Sequence, residues 1–284
     1  MLDYNKPIPT IEFPKNGLEV ANPSQEEMVY LDDMFVCASA YNQWVEQDGK
    51  PLPGSSPSIM VRKTVAEMLK KAAAKLPEGY SFKIYDAYRP IAVQQALWDY
   101  FRAQKRAENP SITEEELDHI TKFCVSFPSY NILKPSLHNT GGAVDLTIID
   151  KDGNEVDMGC GFDEFTDRAW TTYYEPDSEF DGDNDVARDN RRMLYNIMID
   201  TGFTNFPSEW WHFDYGDEKW GQLTNNEPIY GGILDADVRN SVPYDNMELV
   251  KEANAEEQKV ARQINDLRDE CIKQDEKVAT VMRG

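Results

Sequence analysis

Three histidines stand in a chain of 284 residues, and two of them sit in short motifs that also carry carboxylates. One motif is Ser136-Leu-His-Asn-Thr-Gly-Gly-Ala-Val-Asp145, the other Glu209-Trp-Trp-His212. Together they supply two imidazoles, an aspartate and a glutamate. Two imidazoles and a carboxylate are a workable ligand set for a catalytic zinc. Three protein ligands leave a fourth position for water, and a free carboxylate nearby can take that water's proton. On this reading His138, Asp145 and His212 bind Zn2+ and Glu209 is the general base.

Each of these residues has a plainer reading as well. A lone histidine is more often structural than a ligand; for His138 the two glycines before Asp145 allow a turn that brings both side chains to one ion. Glu209 and His212 are three apart, and in a strand such positions face opposite ways. They can serve one metal only where the backbone bends or the strand ends; otherwise Glu209 is a surface carboxylate ahead of two core tryptophans. The Trp210-Trp211 pair could bury one wall of a site. Asp86 and Arg89 flank Tyr88 at a strand end. An arginine there either reaches into a cleft to hold an oxyanion or carboxylate, or forms a surface ion pair. His119 lies in Glu114-Glu-Glu-Leu-Asp-His119 and reads as part of a solvated helix face.

The elements that must position these groups follow from periodicity. Residues 1–30, with Pro7, Pro9, Pro14 and Pro23, read as an extended arm around the body. Residues 32–44 suit a short strand and a loop, and 47–57 a turn-rich loop. Val65, Met68, Leu69, Ala72 and Leu76 recur at three and four residues, predicting a helix over 61–76 that Pro77 and Gly79 end. A strand over 80–88 follows, then a helix from Pro90 to about Ala107 and another over 114–123. Ala143–Ile149 reads as a strand with Asp145 on the face of Ala143 and Thr147. Asp150-Lys-Asp-Gly153 signals a hairpin turn with its returning strand over 154–158. An acidic exposed loop over 172–185, a helix over 186–201 and a strand over 209–215 complete the body. A linker over 221–244 leads to a C-terminal amphipathic helix over 245–284. Asp245 and Glu248 match a capping box there, and Val250, Val260, Ile264 and Leu267 fall in a heptad. That helix is either docked on its own domain or a homo-oligomer contact.

The formal net charge of −22 excludes general nucleic-acid binding and anionic membrane surfaces, which need basic patches. Cys37, Cys124, Cys160 and Cys271 form no C-x-x-C pair, so free thiols are expected rather than disulfides or a zinc knuckle. No run approaches the ~18 apolar residues of a membrane span. The first residues carry no signal-peptide pattern, so a cytoplasmic location is the expectation.

Read together and in order, Tyr85-Asp-Ala-Tyr-Arg-Pro90, the Ser136–Asp145 motif and Glu209-Trp-Trp-His212 resemble the D-alanyl-D-alanine dipeptidases of the vancomycin-resistance type, which are zinc D,D-peptidases. Asp157-Met-Gly159 and Phe162-Asp163 resemble the same family, and the likeness spans roughly residues 30–216. It implies a catalytic domain over 31–220 with an α+β fold: a central, mostly antiparallel sheet flanked by helices. It implies that His138, Asp145 and His212 bind zinc and that Glu209 is base and later proton donor. Arg89 would steady the tetrahedral intermediate, and Ser136 would help bind substrate. The implied activity is hydrolysis of the D-Ala-D-Ala dipeptide, a small substrate held by both free ends. Alternatives are a D,D- or L,D-carboxypeptidase acting on peptidoglycan stem peptides, and a non-catalytic zinc-stabilised binding module.

Overall fold

The computed structural model describes residues 4–10, 17–44, 51–122, 124–178, 180 and 182–234. The expected helix over 245–284 lies outside the described residues. Among those described, the strands are β1 (Met28–Tyr30), β2 (Val36–Cys37), β3 (Met60–Arg62), β4 (Ser81–Asp86), β5 (Ala143–Ile149), β6 (Thr204–Asn205) and β7 (His212–Asp214). The helices are α1 (Ala40–Gln43), α2 (Lys63–Ala73), α3 (Ile91–Glu108), α4 (Glu114–Thr121), α5 (Asp185–Thr201) and α6 (Glu218–Thr224). The class is α+β, as expected. The main sheet runs β2-β4-β5-β7-β6 and is antiparallel except where β2 lies parallel to β4.

One face of that sheet makes the core. Val144, Leu146 and Ile148 alternate on β5 and pack with Phe82 and Ile84 of β4. Over them lie α2, through Val65, Leu69 and Ala72, and α5, through Leu194, Ile197 and Met198. The other face of β5 carries Asp145 and Thr147, and all seven residues of the strand are buried. On the far side of the site, α3 packs Val93, Leu97 and Phe101 against Tyr41, Leu52 and Val125.

Several boundaries differ from expectation, each for a local reason. The helix expected from residue 61 begins at Lys63, because Met60–Arg62 pairs with β1 and places Val61 opposite Val29. The returning strand over 154–158 shrinks to one bridge, Ile149 to Glu155, and Met158 turns into the core instead. In the acidic stretch from 172, Glu175 is buried, bonded to Arg192 and to the Ile8 amide. The same bond ties down the N-terminal arm, whose Ile8 and Val20 are buried and whose last residues form β1. The linker expected from 221 is part of the folded body through residue 234. Helix α6 occupies 218–224, Tyr230 is buried against the Glu26 carboxylate, and Ile233 exchanges hydrogen bonds with the Asn139 side chain. Apolar Pro228, Tyr230 and Ile233 gain by covering the core, which a solvated linker would not.

Candidate metal centre

His138 sits in a short 3-10 turn, Leu137–Thr140, just ahead of β5. Gly141 ends that turn at φ 72°, where a side chain would be strained. Gly142 then passes so close to β7 that a Cβ on it would lie 2.3 Å from the Tyr215 carbonyl oxygen. This close approach sets the register that puts Asp145 of β5 directly opposite His212 of β7. The Glu209-Trp-Trp-His212 segment is not the strand expected. Its first three residues form a turn, closed by the His212 amide donating to the Glu209 carbonyl, and only His212 enters β7. That bend resolves the spacing problem: Glu209 Oε2 lies 3.7 Å from His212 Nδ1. Trp210 and Trp211 do not wall the site; both are core residues that anchor the turn. Phe165 and Phe206 line the cleft instead.

Three donor atoms converge. His138 Nε2 lies 3.2 Å from His212 Nδ1 and 3.2 Å from Asp145 Oδ2, and His212 Nδ1 lies 3.0 Å from Asp145 Oδ1. Around a tetrahedral zinc, neighbouring nitrogen and oxygen ligands stand about 3.3 Å apart. The outer partners fix which ring nitrogens carry hydrogen. His138 Nδ1 lies 2.8 Å from the Ala87 carbonyl oxygen, which can only accept, so Nδ1 is protonated and Nε2 is bare. His212 Nε2 lies 2.7 Å from Asp214 Oδ1, so Nε2 donates and Nδ1 is bare. Asp145 Oδ1 is buried beside that nitrogen without a hydrogen bond. Two ring nitrogens whose outer neighbours are already bonded and a carboxylate, all buried, face one another. A cation is what this arrangement fits. Without one, a proton takes its part: burial works against the His212 charge, but Asp214 and Asp145 push its pKa well up. A metal ion would displace that proton.

The remaining expected residues surround this group. The Glu209 side chain keeps 27% exposure, opening onto the cleft. Burial lifts its pKa, with the Asp145 charge adding to the rise and His212 opposing it. Arg89 donates from Nε to Asp86, from one terminal nitrogen to Gln94 and from the other to the Tyr41 hydroxyl. That last nitrogen lies 3.8 Å from Asp145. Burial disfavours its charge, but Tyr41 and the carboxylates of Asp86 and Asp145 more than offset this. Arg89 is therefore a buried site cation and not a surface pair. Ser136 Oγ is buried on the cleft wall with no hydrogen-bond partner among the described residues. His119, by contrast, lies on α4 and lines no part of the cleft. The cleft itself is small, about 60 Å3.

Sequence reasoning missed three contributors. Asp214 lies two residues after His212, so strand period alone puts it on the same face; that signal was present. Asp163 has φ 56°, lines the cleft and accepts from Tyr41 Oη at 3.2 Å. Burial, and then the Asp145 charge, push its pKa well up. Asp217 is fully buried, and burial and the Asp214 charge raise its pKa well above the usual carboxylate range. Among the described residues Cys37, Cys124 and Cys160 are free thiols, as expected, and no helix is long and apolar enough to cross a membrane.

Comparison with known proteins adds a family. Peptidase_M15, described as D-ala-D-ala dipeptidase, matches residues 26–229. A D-alanyl-D-alanine dipeptidase from Synechocystis sp. is 36% identical over 193 residues, covering 63% of this chain and 78% of its own. One from Enterococcus faecalis is 30% identical over 200 residues, covering 68% and 93%. Among solved structures, a vancomycin resistance D,D-pentapeptidase, VanY, in complex with Zn(II), aligns with 65% of this chain and 84% of that one. Its identity is 16% and its TM-score 0.36.

Proposed function

Since the chain belongs to the D-ala-D-ala dipeptidase family of metallopeptidases, we propose that it hydrolyses the D-Ala-D-Ala dipeptide to D-alanine with a zinc ion held by His138, Asp145 and His212. The observation that carries this reading is the convergence of the His138, Asp145 and His212 donor atoms at 3.0–3.2 Å, in a cleft that Glu209 and Arg89 also line. A structural metal site needs neither a free carboxylate nor a buried cation beside it, which disfavours a binding module. A bound zinc would supply Lewis acidity and a water made acidic near neutral pH.

The protein's own groups divide the rest of the work. Glu209 takes the water proton as attack begins and returns it to the departing amine. Its raised pKa suits both halves of that cycle, since an ordinary carboxylate holds a proton too weakly to carry it. The Arg89 nitrogen nearest Asp145 is placed to donate to the oxygen that gains charge. Ser136 Oγ, lacking a protein partner, is free to bond the substrate backbone. Asp163, whose burial favours the neutral acid, ionises against the dipeptide's ammonium, because an enclosed carboxylate holds its charge only beside a cation. With room for about 60 Å3, the cleft favours a substrate with little beyond the scissile unit.

The test is an assay of D-alanine release from D-Ala-D-Ala, with metal analysis on the same sample. Metal-replete protein is expected to cleave the dipeptide, and a chelator to stop it. Glu209→Gln is expected to stay folded and zinc-loaded while losing about 10²–10⁴ in kcat. Cleavage of a stem pentapeptide with the dipeptide left intact would replace this reading by the carboxypeptidase one.

A further inference from the structure

A second cavity, about 280 Å3, adjoins the cleft and is larger than it. Tyr41 and Arg89 line both spaces. The guanidinium carbon sits 4.6 Å over the Tyr41 ring, so the stacked pair is the wall between them. No catalytic role described above draws on this cavity, although its volume approaches the ~300 Å3 of small ligand pockets.

Its lining has a definite polarity. Asp86, only 8% exposed, faces this cavity and not the cleft. Asp86 Oδ2 accepts from Arg89 Nε at 2.8 Å and lies 3.4 Å from His138 Nδ1. Oδ1 takes no hydrogen bond from the described residues. On the loop opposite, Ser55 Oγ accepts from Asn42 and Ser56 Oγ accepts from the Ser58 amide, so each keeps its O–H to donate. Arg89 is the one cationic side chain lining the cavity among the described residues, and it is already paired with the Asp86 carboxylate and bonded to Gln94 and Tyr41, so the lining does not favour a bare anion. One buried carboxylate and two donating hydroxyls complement a molecule with an ammonium at one end and a carboxylate at the other.

We propose that this cavity is a second binding site for a small zwitterionic α-amino acid, and that D-alanine released at the metal centre occupies it and slows turnover. The identity of the ligand rests on the dipeptidase reading: that reaction makes two such zwitterions beside a cleft of about 60 Å3. The coupling runs through Asp86. An ammonium drawn to Oδ1 competes with Arg89 for the same carboxylate, loosening the guanidinium that faces the reacting oxygen. D-alanine then lowers kcat as well as competing with substrate.

Initial rates against D-Ala-D-Ala, at a series of D-alanine concentrations, test this on the full metal-loaded chain. Wild type is expected to show mixed inhibition, with kcat falling at least twofold at saturating D-alanine. Ala92→Phe and Ser58→Phe each put a ring into the cavity without touching the cleft, and circular dichroism identifies which of them folds. A folded variant is expected to keep the uninhibited kcat and to show competitive inhibition only. Equilibrium titration with D-alanine is expected to find one more site in wild type than in the variant. Hydrolysis whose inhibition is purely competitive in wild type, or equally mixed in a folded variant, overturns the proposal. Absence of hydrolysis instead overturns the dipeptidase reading, and the titration still decides whether this cavity binds an amino acid.

Discussion

Asp214 orients His212, one of the three proposed ligands, and its consequence is measurable. Its Oδ1 fixes the His212 tautomer from 2.7 Å. Asp214→Ala leaves the ring free to rotate and to protonate the ligating nitrogen. Zinc affinity is expected to fall about 10–100-fold by competition with a chromophoric chelator, with the fold retained. Asp163→Asn tests the ammonium contact at the same scale: KM for the dipeptide should rise about tenfold or more while kcat moves little, since a charge-assisted bond is worth ~1.5–3 kcal/mol. The gathering of His138, Asp145, His212, Glu209 and Arg89 at one cleft was legible because histidine is scarce and the motifs are compact. Asp163 was not, since nothing in Phe162-Asp163 announces that its backbone bends to aim the carboxylate inward.

At the scale of elements, the informative features are breaks in regularity. On β4, Phe82 and Ile84 face the core, and a regular strand would send Asp86 after them. The register shifts between Ile84 and Asp86 instead, and Asp86 comes to lie opposite Asp145 on the site face. A bulge leaves no mark in a pattern of apolar alternation, so the strand was foreseen and its irregularity was not. The turn at Glu209 was anticipated only as a condition that two residues three apart would need. The two glycines were read as allowing a turn; Gly142 also permits a close approach, since a Cβ on it would lie 2.3 Å from the Tyr215 carbonyl oxygen. Gly142→Ala is therefore expected to cost about 3 kcal/mol or more, seen as a lowered Tm, because the clash is with backbone that cannot swing away. Zinc affinity should drop with it, as β5 and β7 are forced apart beside the ligands.

For the molecule as a whole, the helices and central strands were readable from their three-to-four and two-residue periods, and the packing of the ends was not. Residues 221–234 carry too few apolar positions for a periodic signal, yet they close the body. The Asn139 side chain, buried directly after His138, bonds to the carbonyl oxygens of Ile233 and Arg89 and accepts from the Ile233 amide. Shortening the chain to residue 228 strips both Ile233 partners and uncovers the space filled by Tyr230. Each orphaned polar group is expected to cost ~1–3 kcal/mol, measurable by urea unfolding. Ending it at residue 244 should leave stability and zinc binding near their full-length values. If that cut also lowers the number of copies in the assembly, the heptad over 245–284 is an oligomer contact.

The pairing of Asp145 with His212 carries one more consequence, for the order in which the protein matures. The two residues come from strands that are far apart along the chain and meet only once β7 has zipped onto β5, while His138 waits on the turn before them. An ion arriving earlier would find scattered single donors and no chelate. On the proposed function, the folded sheet assembles the chelate, so a chelator-stripped protein is expected to keep its fold and to rebind zinc without refolding. The ion then deepens the native well in proportion to the logarithm of its free concentration. Zinc-starved cells would then hold folded protein whose activity returns on adding zinc, without new synthesis.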